Sequence, residues 1–246
     1  MNLPNKKPII IFRFLAHEGP GYLGEYLTVL ELPFLLIKVD EAEALPNNMQ
    51  DYSGMVLMGG PMSVNDDLPW IAPLLALIRE AIDSDIPVLG HCLGGQLMSK
   101  ALGGVVSKNK SLAGNQVKEI GWGEVTVSQN STAKQWFGDL QGFNAFHWHG
   151  ETFRLPEGAT HILASQHCHN QAWALGKHLA FQTHIEMTPD MVKKWCDEGR
   201  AELAESAASP AVMQADTMQQ TLEVHCYFLN RVAKQVYSQW IKGLKT

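Results

Sequence analysis

The sequence has little of what marks secreted, membrane-bound or nucleic-acid-binding proteins. Its four cysteines among 246 residues form no Cys-x-x-Cys pair, and a chain of this length needs no disulfides, so we expect reduced thiols in a cytoplasmic protein. No apolar stretch approaches the roughly 20 residues of a membrane span. Residues 1–8 lack the apolar centre of a signal peptide. These absences predict a protein without a membrane partner.

Positive charge is also scarce. The chain carries 19 basic and 25 acidic residues, a net charge of −6, and no basic run interrupts this balance. The electrostatic footprint of a nucleic-acid-binding protein is therefore missing, and binding to anionic membranes is disfavoured. Apolar residues make up 46% of the chain, which is enough for a sizeable core. We expect a globular protein with no nucleic-acid partner.

Apolar runs alternate with helical patterns in the N-terminal part of the chain, and this alternation predicts a parallel sheet with helices on both faces. Later apolar runs follow one another with turns between them, which predicts antiparallel hairpins added to that sheet. The predicted parallel strands are residues 9–12, 34–39, 54–58 and 86–89, and the later strands are residues 117–127, 143–148, 159–164, 171–174 and 179–182.

The C-terminal part of the chain is predicted to be helical. A helix should begin at Thr188, which can cap it, and end at Gly199. Residues 204–210 are small and polar and predict a loop. A last helix over residues 215–240 has an apolar stripe, which packs either on the domain or on a second copy in a homodimer. No linker divides the chain, so residues 1–246 are predicted to form a single domain.

The most informative stretch is residues 90–96, Gly-His-Cys-Leu-Gly-Gly-Gln, between a predicted strand and a helix. This turn places Cys92 at a helix N-terminus, where free N–H groups and the helix dipole stabilise a thiolate. Gly90 and Gly94 flank Cys92 at positions where a tight turn leaves no room for side chains. The layout is a nucleophile elbow with cysteine in place of serine, and it predicts acyl transfer through a thioester.

A cysteine nucleophile needs a base and a group that orients the base. His184 follows a predicted strand, and Glu186 should point the same way, because residues i and i+2 of an extended segment share a face. The Gly59-Gly60-Pro61 turn also follows a strand, and the N–H groups of Gly60 and Leu93 are candidates for an oxyanion hole. Taken alone, such a turn is more often an ordinary strand-to-helix connection.

Zinc sites offer a second interpretation of the histidines. His147 and His149 share one side of a predicted strand, as do His167 and His169 around Cys168. No companion pair at ligand spacing stands out in the sequence. We therefore predict no metal and no other cofactor.

The elbow, the glycine turn and the late His-x-Glu together resemble the class I glutamine amidotransferases, which carry Gly-x-Cys-x-Gly-x-Gln at the elbow. The resemblance covers about residues 9–187 and is closest to stand-alone members similar to the glutaminase half of GMP synthase, through residues 59–64, 119–122 and 147–151. Two positions depart from the family. Ile185 replaces a proline found in many members, and His91 precedes the nucleophile, where we interpret it as a structural residue pointing away from the thiol.

The resemblance implies a flavodoxin-like three-layer α/β/α sandwich, with residues 188–246 as a helical extension packed on it. It also implies a role for each matching residue: Cys92 as nucleophile, His184 as base and acid, Glu186 as orienter, Gly60 and Leu93 as oxyanion hole, Gln96 on the amino-acid end of the substrate, and the backbone of Trp148, His149 and Gly150 on its α-amino and α-carboxyl groups.

The implied activity is hydrolysis of the γ-amide of glutamine, with glutamate and ammonia as products. The sequence shows no phosphate loop and no room for a synthase domain, so a separate synthase subunit would receive the ammonia. The alternative is a γ-glutamyl peptidase that acts on glutathione-like compounds, because both substrates present the same glutamyl end. A binding or regulatory module that leaves the triad unused is the third interpretation.

Overall fold

The computed structural model describes residues 7–111 and 114–246. The prediction that residues 1–8 are not a signal peptide falls mostly on residues outside these ranges. The strands are β1 (Ile9–Arg13), β2 (Phe34–Lys38), β3 (Gly54–Leu57), β4 (Val88–His91), β5 (Val106–Lys108), β6 (Glu119–Val127), β7 (Gly142–His149), β8 (Glu151–Phe153), β9 (Thr160–Ser165), β10 (Ala172–Leu175), β11 (His178–Phe181) and β12 (Ala211–Val212). The helices are α1 (Gly21–Val29), α2 (Ile71–Asp83), α3 (Leu93–Ala101), α4 (Ser131–Phe137), α5 (Pro189–Glu198), α6 (Arg200–Ser206), α7 (Ala215–Gln219) and α8 (Leu222–Trp240).

A 10-stranded sheet forms the centre of the molecule. Its parallel half has the order β2-β1-β3-β4-β11, and β10, β9, β6 and β7 continue it as antiparallel strands. The tenth strand, β12, pairs in parallel with β6. This arrangement confirms the predicted mostly parallel sheet with added hairpins. In its register, His91 lies beside Phe181 and Gly90 beside Leu57. The segments that follow β3, β4 and β11 therefore meet at one edge of the sheet, where α/β proteins commonly place their sites.

Apolar cores lie on both faces of this sheet. Along β1, Ile9 and Ile11 belong to the core under α1, α4 and α8, whereas Ile10 and Phe12 belong to the core under α2 and α3. Strands covered on both faces need apolar residues at every position, which explains the continuous apolar runs in the sequence. The three-layer α/β/α sandwich of flavodoxin-like type is thus confirmed.

The C-terminal helices differ from the prediction in two places. The helix α6 follows α5 directly and extends to Ser206, so the loop predicted at 204–210 is wrong in its first half. The predicted last helix is divided into α7 and α8, with Thr221 between them at φ 54°. Trp122 Nε1 donates to the Met218 carbonyl oxygen (2.9 Å), so a tertiary contact takes the place of helix continuation. This contact between distant residues leaves no local signal in the sequence.

The apolar stripe of α8 packs against the domain, where Leu229, Val236 and Trp240 are buried. This is one of the two arrangements expected for the stripe, and a homodimer stays a prediction. No helix within residues 7–111 and 114–246 has the length and apolar character needed to cross a membrane. The cytoplasmic location also stays a prediction.

Candidate active site

The elbow predicted around Cys92 is present between β4 and α3. Cys92 has φ 49° and ψ −107°, a conformation that non-glycine residues rarely adopt. The Cys92 N–H donates to the Phe181 carbonyl oxygen (2.8 Å), and the Gly94 N–H donates to that of Met58 (3.1 Å). Bonds to two neighbouring strand ends therefore hold the strained turn and present the thiol at the edge of the sheet.

The flanking glycines are required by close backbone contacts. A methyl group at Gly94 would overlap the Leu57 carbonyl, and one at Gly90 would overlap the backbone of Gly94. We expect Gly94→Ala to reduce the free energy of unfolding by about 3 kcal/mol, because a rigid backbone cannot move aside. Urea unfolding monitored by circular dichroism measures the change. Gly19→Ala is the matched control, since a methyl group there meets nothing within 4 Å, and equal stability of the two variants would refute this account.

His184 and Glu186 form a buried pair at the same edge. His184 Nδ1 donates to Glu186 Oε1 at 2.6 Å, and both side chains are about 1% exposed. The His184 N–H donates to the Phe146 carbonyl oxygen (2.8 Å), which attaches this segment to β7. The Trp195 ring packs edge-on against the imidazole, with ring centroids 4.8 Å apart. The imidazole is thus held from several sides, and its tautomer is set by the carboxylate.

Charges around this pair oppose the effect of burial. Burial alone would lower the pKa of His184, but Glu186 and the adjacent Cys92 hold that pKa well above its usual value. Burial would likewise raise the pKa of Glu186, yet His91 and His184 lower it to about 2. The carboxylate is therefore ionised throughout the neutral range, and the site favours an imidazolium next to Cys92.

His91 lies behind the carboxylate. Its Nε2 is 3.7 Å from Glu186 Oε2 and within hydrogen-bond distance (3.2 Å) of the Tyr237 hydroxyl of α8. Burial lowers the pKa of His91, and Glu186 opposes this shift. The sequence predicted a structural role for His91 but did not reveal its contact with Glu186, because the two residues are far apart in the chain. The C-terminal helix therefore supports the site through His91.

The two residues expected to form an oxyanion hole lie next to each other. A methyl group at Gly60 would lie 2.9 Å from Leu93 Cδ2, and Gly60 lines the same cleft as Cys92. In the described part of the chain, the N–H groups of Gly60 and Leu93 make no hydrogen bond. An oxyanion hole likewise requires N–H groups that no internal hydrogen bond uses.

The expected substrate contacts surround the thiol in a cleft of about 460 Å³, whose lining includes Cys92, Gln96, Trp148, His149 and Gly150. The Trp148 carbonyl oxygen is 3.9 Å from Cys92 Sγ. Gln96 Nε2 donates to Gln182 Oε1 (3.1 Å), and Gln182 Nε2 donates to Cys92 Sγ (3.4 Å). Sequence reasoning missed Gln182, although its position two residues before His184 on an extended segment was the available signal.

The His149 side chain also contacts a residue that sequence reasoning missed. His149 Nε2 lies 3.1 Å from Glu119 Oε2, and Gln171 Nε2 donates to the same oxygen at 2.7 Å. Burial would raise the pKa of Glu119, but the hydrogen bond with His149 and the nearby His147 lower it to about 2. This network connects β6 and β7 with Gln171, the residue before β10, and it includes the side chain of His149 in the segment 148–150.

Ligand atoms of Glu119, His147 and His149 all lie within 4.8 Å of one another, which is close enough to hold a metal ion. Glu119 is the companion that the sequence did not reveal. Gln171 Nε2 is 3.4 Å from both His147 Nδ1 and His149 Nε2, so an amide group already fills the space between the rings. The expectation that the protein binds no metal stays a prediction.

The outer rim of the cleft comes from two segments that the sequence did not indicate. One segment supplies Trp195, Glu198 and Glu202 of α5 and α6, and the other, the loop after β1, supplies Glu18. Trp148 Nε1 donates to Glu202 (2.9 Å), which fixes α6 against the cleft. The C-terminal extension thus forms part of the site.

The chain is similar to known proteins over most of its length. Residues 23–194 match the family described as glutamine amidotransferase class-I. A crystal structure of a glutamine amido transferase from Methylobacillus flagellatus has a TM-score of 0.93 and 45% identity, covering 98% of this chain and 96% of that one. The glutamine amidotransferase-like protein YfeJ of Salmonella typhimurium is 29% identical over 234 residues, which are 89% of this chain and 95% of that protein.

Two further relatives have more specific activities. GMP synthase of Vibrio vulnificus is 34% identical over 139 residues, 55% of this chain but 24% of that enzyme. Gamma-glutamyl peptidase 3 of Arabidopsis thaliana is 26% identical over 152 residues, 59% of each chain. Both activities expected from the sequence are therefore found among relatives of this chain.

Proposed function

The chain belongs to the class I glutamine amidotransferase family, and from this membership we propose that it hydrolyses the γ-amide of glutamine through a thioester on Cys92. The observation that carries the proposal is the strained Cys92 turn, which lines the cleft and lies next to the buried His184–Glu186 pair. A thiol, a base and a carboxylate in this order form a nucleophilic triad.

In the proposed reaction, the Cys92 thiolate attacks the γ-carbonyl carbon, and the N–H groups of Gly60 and Leu93 bind the oxyanion. His184 Nε2 then donates its proton to the leaving nitrogen, the carbon–nitrogen bond breaks, and ammonia departs. Water gives a proton to His184 and attacks the thioester. The carbon–sulfur bond breaks, and glutamate and the thiolate are released.

Substrate positioning follows the same geometry. Gln96 and the backbone of residues 148–150 line the cleft around the thiol and would hold the α-amino and α-carboxyl groups. The network of Glu119 and His149 holds the His149 side chain of that segment. Glu186 orients His184 and stabilises its imidazolium form, which is present before attack and forms again when water gives its proton to His184.

The alternative proposal is a γ-glutamyl peptidase, which the relationship to the Arabidopsis peptidase favours. The two substrates differ in the leaving group alone, and the chemistry at Cys92 is the same. An amidotransferase would deliver its ammonia to a separate synthase subunit, whereas a peptidase needs no such partner. A binding module with an unused triad would bind γ-glutamyl compounds without turnover.

Release of free glutamate from glutamine, glutathione and other γ-glutamyl peptides tests these proposals in one assay. Hydrolysis of glutamine alone supports the glutaminase, and faster hydrolysis of the peptides supports the peptidase. Ligand-dependent thermal stabilisation with no turnover of any substrate would refute both enzymatic proposals and leave the binding module.

A further inference from the structure

Glu18 is a carboxylate in the cleft that the proposed chemistry does not use. It is partly buried in the loop between β1 and α1. A methyl group at Gly59 would contact both Glu18 Oε2 and His184 Cε1, so the carboxylate and the imidazole lie side by side against Gly59. Within residues 7–111 and 114–246, the Glu18 side chain makes no hydrogen bond and no ion pair. A partly buried carboxylate without a partner is costly unless a ligand supplies one.

The direction of the reaction decides which part of a substrate reaches Glu18. The oxyanion faces Gly60 and Leu93, so the leaving nitrogen must face His184 Nε2, from which it takes its proton. The Cε1 atom of His184 is bonded to Nε2 and lies beside Glu18. A substituent on the leaving nitrogen therefore extends along this edge of the imidazole and meets the Glu18 carboxylate.

The other carboxylates of the rim are already neutralised. Glu202 pairs with Lys118 (2.6 Å), and Glu198 pairs with Lys194 (2.6 Å). Among the residues described, Glu18 is thus the rim carboxylate that has no lysine or arginine partner, and the His184 imidazole beside it makes no ion pair with it. A positively charged substituent of the substrate would supply a direct partner.

Aromatic rings surround the same place. The Trp195 ring lies 4.8 Å from the His184 ring and 6.0 Å from the Trp148 ring, between centroids. Both tryptophans line the cleft together with Glu18. Aromatic faces attract ammonium groups, and a carboxylate beside them adds to this attraction. The combination is suited to an organic cation rather than to an anionic or purely apolar group.

We propose that Glu18 and Trp195 form a leaving-group subsite that selects γ-glutamyl compounds whose leaving amine bears a second, positively charged nitrogen, such as a γ-glutamylated alkyl diamine. This inference rests on the proposed function and specifies its substrate class. The bond that breaks is still the γ-carbon–nitrogen bond, His184 protonates the departing nitrogen, and the free diamine leaves. No further reactant is needed beyond water.

The protonation of Glu18 makes this selection dependent on pH. Burial raises the pKa of Glu18 to about 7, with Glu186 and Glu202 raising it further and His184 opposing them. The carboxyl group becomes ionised as the pH rises through this value. The affinity for a cationic amide should therefore increase over the same range, whereas the affinity for a neutral amide should not gain from this ionisation.

The test compares two substrates of equal length, the γ-glutamyl amide of an alkyl diamine and that of a neutral alkylamine. We expect wild-type protein to prefer the cationic amide in kcat/KM by about tenfold or more, the size of one charge-assisted hydrogen bond. Glu18→Gln should lose this preference and keep hydrolysis of the neutral amide. Glu198→Gln is the matched control, and it should keep the preference because that carboxylate is already paired with Lys194.

Binding to Cys92→Ala, measured by calorimetry with the same two amides, separates this inference from the proposed function. Tighter binding of the cationic amide supports the subsite, whether or not the wild-type protein hydrolyses either compound. Absence of hydrolysis would refute the proposed function and leave the subsite intact. Hydrolysis of glutamine with no preference between the amides would overturn the subsite and leave the function intact. Equal losses on both amides in Glu18→Gln would also overturn it.

Discussion

Cys92→Ala is expected to lose glutamate release by at least about 10⁴-fold, whichever γ-glutamyl substrate the protein prefers. In the proposed mechanism the thiol forms the covalent intermediate, and an alanine side chain cannot form one. The turn itself should persist, because its hydrogen bonds use the backbone of Cys92 and Gly94 rather than the sulfur. Glutamate release and the thermal unfolding midpoint, measured on the same preparation, distinguish loss of chemistry from loss of fold.

Alkylation provides the matched control for this variant. Burial raises the pKa of Cys168 and Cys226 to about 12 and that of Cys196 to about 11, so these thiols stay protonated at neutral pH. Iodoacetamide should therefore modify Cys92 first, in step with the loss of activity. Iodoacetamide should inactivate the Cys226→Ala variant at the same rate as the wild-type protein. Measurable turnover by Cys92→Ala would refute the thioester mechanism.

Glu186→Gln is expected to lower kcat by about 10⁴-fold, the size of the loss when the carboxylate of a comparable triad is replaced by an amide. The variant keeps the shape of the side chain but removes the charge that accepts the His184 hydrogen bond. Without this charge, the imidazolium is less stable and the tautomer of His184 is no longer fixed. Steady-state kinetics on glutamine or the preferred γ-glutamyl compound measures the loss.

The pH profile gives this prediction a second measurement. Glu186 raises the pKa of His184 against the effect of burial, so its removal should lower that pKa. Any limb of the kcat profile that reports deprotonation of His184 should move to lower pH in Glu186→Gln. Glu25→Gln, an exposed substitution in α1, should leave both kcat and the profile unchanged. A profile that stays in place would mean that Glu186 does not control the protonation of His184.

Several parts of the site could be predicted because their signals are local. The elbow is a contiguous strand, turn and helix, and Gly90 and Gly94 reveal its tightness. The spacing of His184 and Glu186 is a consequence of extended backbone geometry, which any strand end shares. The parallel sheet follows from apolar runs alternating with helices. These features depend on a few consecutive residues, and a sequence displays them directly.

The contacts that sequence reasoning missed join residues from separate segments. Glu119 reaches His149 across a pair of antiparallel strands, and Tyr237 reaches His91 from the last helix. Glu18 reaches the cleft through the packing of a loop against Gly59. The break between α7 and α8 has the same origin, since a tryptophan of β6 takes the carbonyl that would have continued the helix.

The sequence by itself determined the fold class and singled out the proposed nucleophile and its two expected partners, because backbone periodicity and turn chemistry are encoded in neighbouring residues. The tertiary structure alone decided what surrounds these groups: which carboxylates are paired, which histidines are buried, and which side chains form the leaving-group side of the cleft. Burial and charge act through space over a few ångströms, and chain order does not reveal which distant segments come within that range.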